Sequence, residues 1–417
     1  MDSIPAADFK VLIIGAGVAG LALAQILRKR GLAFEVFERD DGARNQGWSV
    51  GLDKYVMMLS KSKRDPLIDV SRCLPSLRSL LPDELDFLEQ ASPNFAVGKP
   101  DGYAFVHSKT HQSLGALESP LQEPGKADFI SAERVLLRRT LSRHLVVQYG
   151  KRLASFQRDS DGVAVNFTDG SIVHGTVLVG ADGANSRVRS QLLSDFKSTP
   201  SQYVILHGNV VLAAEEYAPV LEQANTGIII GEPGLRAYDV LAEYLADGKA
   251  RWQWAVAWKS EEGDGLHAWS EEATAQELHR KATKWTEHFP DYFRLAVQKT
   301  GAEGMQTPPI KLLETVLPVE TLFQGPVTLL GDAAHSMVPF RGTGANTALQ
   351  DACDLGAALI KAAQAGGDVQ QALREYEQVM VPRGRRIVLE SQASDEQFDM
   401  SGGRLPPRPE LDVGVGA

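Results

Sequence analysis

The stretch from Lys10 to Asp40, KVLIIGAGVAGLALAQILRKRGLAFEVFERD, constrains the fold more than any other part of the chain. Val11 to Ile14 form a short apolar run, the mark of a buried parallel strand. Gly15, Gly17 and Gly20 follow at G-x-G-x-x-G spacing, and an alanine- and leucine-rich helical pattern runs to Arg30, where Gly31 stops it. Phe34 to Phe37 read as a second strand that ends in Glu38, eighteen residues past Gly20. Each residue type has a physical reason. The first glycine permits a tight turn, the second lets a pyrophosphate approach bare backbone, and the third lets helix and strand pack closely. The helix start at Val18, Ala19 and Gly20 offers free N–H groups and the positive end of the helix dipole to phosphates. Glu38 stands where a carboxylate accepts hydrogen bonds from a ribose diol. The unit predicts a dinucleotide site, and by itself it does not separate NAD from FAD.

A chain of 417 residues has room for one to three domains and a large core. Its net charge of −10 argues against a nucleic-acid partner, which clustered Lys and Arg would serve. Cys73 and Cys353 lie far apart without metal-ligand spacing, so neither a disulfide framework nor a metal site is expected. The apolar stretch Val11 to Leu27 contains the three glycines, follows an acidic start and is short for a membrane span. The expectation is a cytoplasmic protein with no stable membrane insertion, monomeric or homodimeric.

Past Glu38 and Arg39, a polar loop leads into Gly47-Trp48-Ser49-Val50-Gly51. Gly47 and Gly51 suggest backbone that something approaches closely, and Trp48 either covers a flat ligand or packs between domains. Helix-like segments to Gly98 are broken at Pro66, Pro75 and Pro82, and a strand-and-loop texture follows to Phe129. Ser131 is the expected cap of a helical run whose leucines at 137, 141 and 145 are spaced by four, with Arg134 in its first turn. Val146 to Phe167 alternate as paired strands, Asp169-Gly170 signals a hairpin, and Thr176 to Gly180 form a second buried strand. Between Ser198 and Gln306, strand-like runs are joined by polar loops, with one helical stretch from Glu271 to Trp285. Trp252, Trp254 and Trp258 share one face at period two, which suits either the wall of an apolar pocket or a plain sheet core. Val327 to Leu330 make another buried strand, Ala345 to Ala363 a helix, and Asp368 to Ser394 a helical pattern interrupted at Pro382. The remainder is too poor in large apolar groups to pack and is expected to be a disordered tail.

Three motifs together resemble one family. The glycine turn with Glu38, GADGANSRVR at 180–189, and GDAAHSMVPFRGTGANTALQDA at 331–352 are similar to the signatures of the single-component, FAD-dependent p-hydroxybenzoate hydroxylase-like monooxygenases. Relatives of this length include fungal natural-product hydroxylases and tetracycline-inactivating enzymes. The resemblance implies an α/β fold. A Rossmann-like FAD-binding domain with a parallel sheet would join a second domain with a mostly antiparallel substrate-binding sheet, and a C-terminal helix. The FAD domain would be assembled from residues 1–75, 130–197 and 315–367, and the substrate domain from 76–129 and 198–314. Residues 368–395 would form the helix and 396–417 the tail. The resemblance assigns Asp332 to the flavin ribityl chain. It places Gly342, Gly344, Ala345 and Asn346 at a helix start facing the flavin ring, where dipole and N–H groups stabilise a reduced, anionic flavin. Pro339 would line the flavin face, and Asp182 would sit near FAD and the nicotinamide nucleotide. Arg39, Arg44, Gly51 and Arg134 complete the cofactor candidates. Arg39 is not taken as a ligand of an NADP 2′-phosphate, because Glu38 serves the FAD ribose.

The chemistry implied is a cycle in which NADPH or NADH reduces FAD, dioxygen adds to give a flavin C4a-hydroperoxide, and one oxygen atom passes to a small, largely apolar substrate, aromatic or polyketide- or terpenoid-like. Few acid–base side chains are needed, and no catalytic residue stands out. His207, Tyr238, Trp254 and Arg341 are the substrate-side candidates, and His335 is expected to be structural. Two departures stand out: Val338-Pro339 replaces the usual Pro-Pro, and Thr343 stands where relatives often carry Gln. The competing readings are a flavin reductase or dehydrogenase on the same fold, a halogenase, and a non-catalytic flavin-binding partner, against which the intact Gly-Asp loop argues. Trp252-x-Trp254-x-Val256 only partly matches the halogenase W-x-W-x-I-P motif, because Ala257 stands where the proline would be.

Overall fold

The computed structural model describes residues 9–42, 49–53, 73–85, 88–119, 125–159, 162–261, 263–321, 323, 325–365 and 368–393. Arg44, Gly47, Trp48, Pro66 and the expected tail lie outside them. Two sheets dominate. A five-stranded sheet carries the strands Val327–Leu329, Val177–Gly180, Lys10–Ile14, Ala33–Phe37 and Val147–Gln148, in that spatial order and all parallel. Its strands therefore come from segments far apart in sequence. The helices Val18–Lys29, Thr343–Ala365 and Val369–Gln392 pack with it, and buried Val11, Leu12, Ile13, Leu23, Ile26, Leu355 and Leu373 share one core. Leu81, Leu85, Leu88 and Ala91 join that core too, so the chain enters the second sheet only at Asp101, later than the sequence suggests.

The second sheet has six strands in the order Tyr203–Leu212, Ala250–Lys259, Leu235–Tyr244, Thr226–Ile230, Asp101–His107 and Ser113–Ser119. It is antiparallel apart from the pairing of Thr226–Ile230 with Asp101–His107. Alternation gives its central strands two faces. Val204, Leu206, Trp252, Trp254 and Val256 turn one way, against the helices Ala275–Trp285 and Asp291–Thr300. Tyr203, Ile205, Ala255 and Ala257 turn the other way and pack with Val338, beside Tyr238 and Phe340.

Several local expectations shift. The arginine-rich helix is Arg134–Leu141, and Glu133 caps it by accepting from the Leu136 N–H at 2.7 Å; Ser131 lies in the strand Phe129–Ala132. The single helical stretch expected around 271–285 is two helices, Leu266–Glu272 and Ala275–Trp285, the second opened by a Thr274–Glu277 capping box. Two helices within expected loop or strand regions, Ala214–Leu221 and Asp291–Thr300, carry buried Val220, Phe293 and Val297. The helix Val369–Gln392 runs through Pro382 without a break, its inner face held by buried Tyr376, Met380, Ile387 and Val388. Tertiary packing here outweighs the hydrogen bond that proline removes.

Candidate active site

The carboxyl ends of four adjacent parallel strands lead directly into the motif turns. Ile14 precedes Gly15, Phe37 precedes Glu38, Gly180 precedes Asp182 by two residues, and Leu329 precedes Asp332 by three. Ligands of such sheets bind at this edge. The turns also touch one another. Gly15 donates to the Phe37 carbonyl at 2.7 Å, Ala181 donates to that of Ile14 at 2.8 Å, and Leu330 to that of Gly180 at 3.0 Å.

The three glycines divide as their chemistry suggests. Gly15 has φ of +112°, and a Cβ there would lie 2.3 Å from the Ala181 oxygen. A Cβ on Gly20 would lie 2.1 Å from the Gly15 oxygen, so this glycine closes helix onto strand. Gly17 has ordinary φ of −72°, and a Cβ there would meet nothing within 4 Å among the described residues. It faces open space at the start of a helix with no side-chain cap and no acidic residue in its first turn. Glu38 stands beside it: Oε2 accepts from the Ala16 N–H at 2.9 Å and Oε1 from the Asp40 N–H at 3.2 Å. An uncapped helix start, an open glycine and a fixed carboxylate suit a pyrophosphate and a ribose, and in this respect the residues fit FAD.

The other two turns are similarly built. Asp182 Oδ2 accepts from the Arg187 N–H at 2.7 Å in the first turn of the helix Arg187–Leu192, which Ser186 caps, while its buried Oδ1 has no partner among the described residues. Burial pushes this carboxyl above its usual range. Arg189, which sequence reasoning passed over within the same motif, donates to the Ala333 carbonyl at 2.7 Å and to that of Ala184 at 2.6 Å. It ties the second turn to the third. In that third turn Gly331, Ala333, Ala334 and His335 are buried and Asp332 alone is exposed. The helix Thr343–Ala365 then begins beside Gly342 (φ +65°), where a Cβ would also meet nothing within 4 Å.

Some candidates have structural duties. Asn346 donates to the Gly51 carbonyl at 2.8 Å and to that of Gly342 at 3.1 Å, and accepts from the Cys73 thiol at 2.9 Å, so its side chain braces the helix start. Gly51 makes room for Tyr103, whose hydroxyl would lie 1.8 Å from a Cβ there. Arg39 is exposed and lies 3.8 Å from Asp40. Arg134 is half-buried in the first turn of its helix, and Pro339 is half-buried in the loop beside Phe340.

On the substrate side the candidates separate. His207 and Tyr238 both pair with Ala255 from opposite sides, which places them on one face of the six-stranded sheet. This face meets the third motif: the Tyr203 and Phe340 rings are 4.6 Å apart, edge on. Burial lowers the His207 pKa to about 4 and holds the Tyr238 hydroxyl well above its usual value, so both are neutral at pH 7. Trp254 does not join them. Its indole donates to Thr300 Oγ1 at 2.7 Å behind the sheet, Trp252 donates to Asp239 at 2.9 Å, and Trp258 stacks on Trp285 at 5.5 Å. The tryptophan face is a sheet core; period-two spacing cannot tell a core face from a pocket face. Arg341 is buried and bonded to Glu390 at 2.8 Å. A surface groove of about 600 Å³, lined by Gln276, His279, Arg280 and Thr283, lies on the helical back of the sheet, away from these residues. Among the described residues no group of His, Cys, Asp and Glu could hold a metal ion, and no helix is long and apolar enough to cross a membrane.

Known proteins are similar to this chain in sequence and fold. The FAD binding domain family matches residues 99–391, and the NAD(P)-binding Rossmann-like domain matches residues 13–44. The FAD-dependent monooxygenase thnD of Trichoderma harzianum is 31% identical over 407 residues, covering 94% of this chain and 93% of that protein. The FAD-dependent monooxygenase phnB of Penicillium herquei is 29% identical over 408 residues, covering 91% and 88%. Two solved structures share the fold. HpxO of Klebsiella pneumoniae, complexed with FAD and uric acid, has a TM-score of 0.70 at 23% identity, over 94% of this chain and 90% of that one. The 2,6-dihydroxypyridine-3-hydroxylase of Arthrobacter nicotinovorans has a TM-score of 0.71 at 20% identity, over 96% and 95%. The match across most of its length, with three motif turns gathered at one sheet edge, shows that the chain belongs to the FAD-dependent monooxygenases of the p-hydroxybenzoate hydroxylase type.

Proposed function

We propose that this enzyme takes electrons from NADPH or NADH and places one atom of dioxygen on a small, largely apolar substrate of aromatic, polyketide- or terpenoid-like character. The substrate would lie between the flavin turns and the sheet face that bears His207 and Tyr238. The observation that carries this reading is the junction of the two: Val338 and Phe340, from the loop after Asp332, pack directly with Tyr203, Ile205, Ala255 and Ala257.

When bound, reduced flavin supplies the electrons with which dioxygen delivers one atom to the substrate and leaves the other as water. The chain's own residues hold and shield it. The open start of the helix at Gly17, Val18 and Ala19 receives the pyrophosphate, Glu38 the ribose and Asp332 the ribityl chain. The N–H groups and positive dipole at the start of the helix at Gly342, Gly344 and Ala345 would stabilise negative charge on the reduced ring. Pro339, Arg134 and Asp182 would help to hold the cofactor. On the substrate side, neutral His207 and protonated Tyr238 offer hydrogen bonds without charge, which suits an uncharged substrate hydroxyl or carbonyl. The apolar packing around them keeps water from the reacting oxygen.

The test is spectroscopic. The purified protein should be yellow, should bleach when NADPH or NADH is added without oxygen in the presence of an accepted phenolic substrate, and should recover its colour in air. Bleaching by dithionite but by neither nicotinamide, across a substrate panel, would overturn the donor reading. A colourless protein that takes up no added FAD would overturn the site.

A further inference from the structure

The turn that presents Asp332 is gripped from behind by one buried carboxylate. Asp351, in the helix Thr343–Ala365, accepts with Oδ2 from the Gly331 N–H at 2.9 Å and from His335 Nε2 at 2.5 Å. Its other oxygen accepts from Arg383 at 2.7 Å. Arg383 belongs to the helix Val369–Gln392 and also bonds Asp354 at 2.7 Å. Asp351 is fully buried, and His335 and Arg383 are nearly so. The same helix closes on the turn in two further ways. Tyr376 donates to the Leu329 carbonyl at 3.0 Å, and Gly384 lies so close that a Cβ would come 2.7 Å from the His335 ring.

One acid and two bases enclosed together, with Asp354 at their edge, are costly to bury and hold their geometry only as a complete set. Burial by itself would push Asp351 up and His335 down. Each other's charge reverses both directions, with Arg383 adding to the hold on Asp351 and Asp332 to that on His335. A surface loop would not need such a set. Here it fixes a turn of five residues so that four are enclosed and the carboxylate of the fifth is left outward.

We infer that Asp351, His335 and Arg383 are positioning residues for the cofactor, so that the helix Val369–Gln392, which carries none of the cofactor candidates, controls FAD affinity through the Asp332 turn. This rests on the reading of Asp332 as a flavin-binding residue. Neither helix nor turn alone sets the geometry, because the carboxylate needs donors from both.

The experiment compares apoproteins of wild type, Arg383→Gln, Arg383→Lys, Asp351→Asn, His335→Gln and Asp332→Ala. FAD dissociation constants, the visible circular dichroism of bound flavin and the melting temperature of each apoprotein are measured separately. Arg383→Gln and Asp351→Asn should weaken FAD by about 10- to 100-fold, the range that loss of a supporting partner costs at metal sites. They should also alter the flavin dichroism, and Arg383→Lys should recover much of both. Wild-type affinity and dichroism in these variants, with only a lower melting temperature, would overturn the inference. If Arg383→Gln and Asp351→Asn do not fold, the milder His335→Gln decides: unchanged affinity and dichroism there overturn it as well. Wild-type affinity in Asp332→Ala would instead remove Asp332 from the flavin site, whatever the other variants do.

Discussion

Gly17 and Gly20 are three residues apart and chemically identical, yet they carry opposite demands. Nothing lies within 4 Å of a Cβ added to Gly17, whereas one added to Gly20 meets a backbone oxygen at 2.1 Å. Gly17→Ala should therefore fold and melt like wild type while binding FAD at least about 10-fold more weakly, because its methyl group would project where the pyrophosphate is expected. Equal affinity in that variant would place the phosphates elsewhere. Gly20→Ala should lose roughly 1–3 kcal/mol or more of stability through overpacking, read as a fall in denaturation midpoint. Asp239 sets a second single-residue expectation. It is fully buried, its Oδ2 accepts from Trp252, and its Oδ1 has no partner among the described residues. Burial raises its pKa from 3.8 to about 7. Between those two values the folded protein keeps a proton that the unfolded chain has lost, so this group's contribution to stability falls as pH rises and levels off above about 7. Asp239→Asn should lose less stability than wild type between pH 5 and 8, by roughly 3 kcal/mol. Parallel pH profiles of the urea midpoint for the two proteins would show that Asp239 does not titrate in this range.

At the scale of elements, the strand Ala250–Lys259 shows what a pattern can and cannot say. Its alternation correctly gives two faces, one with Trp252, Trp254 and Val256 and one with Ala255 and Ala257 among polar residues, but only the helices Ala275–Trp285 and Asp291–Thr300 behind the first decide that it is core. The helix Asp291–Thr300 is not evident in the sequence, where it falls past the one helical stretch expected in this region. Trp254→Phe should cost about 1–3 kcal/mol, since it leaves Thr300 Oγ1 without its indole donor and removes buried area. Turnover per bound flavin, measured well below the melting temperature, should stay near wild type. A loss of turnover without a loss of stability would return Trp254 to the substrate side. The C-terminal helix makes the same point from backbone chemistry. Pro382 argues for an interruption, but the residues on either side of it, Val381 and Arg383, are buried against the rest of the protein, and the helix continues.

For the whole molecule, the parallel sheet is the device that converts three distant motifs into one edge. Its strand order puts Val177–Gly180 between Lys10–Ile14 and Val327–Leu329, so the three turns meet although more than 300 residues separate the first from the last. The sequence alone determined the glycine turn, the carboxylate of Glu38 at the end of the second strand, the Asp182 and Asp332 turns and the class of fold. Binding a nucleotide to backbone demands particular residue types at fixed short spacings, and such demands are written locally. Only the tertiary structure decided that Trp254 belongs to a core and Arg341 to an ion pair, that His207 and Tyr238 share the face that meets the loop after Asp332, and that Arg383 reaches Asp351 across 32 residues. Those outcomes depend on which surfaces the fold brings together. Burial and ion pairing act between surfaces in space, and the spacing of residues along a chain carries no record of them.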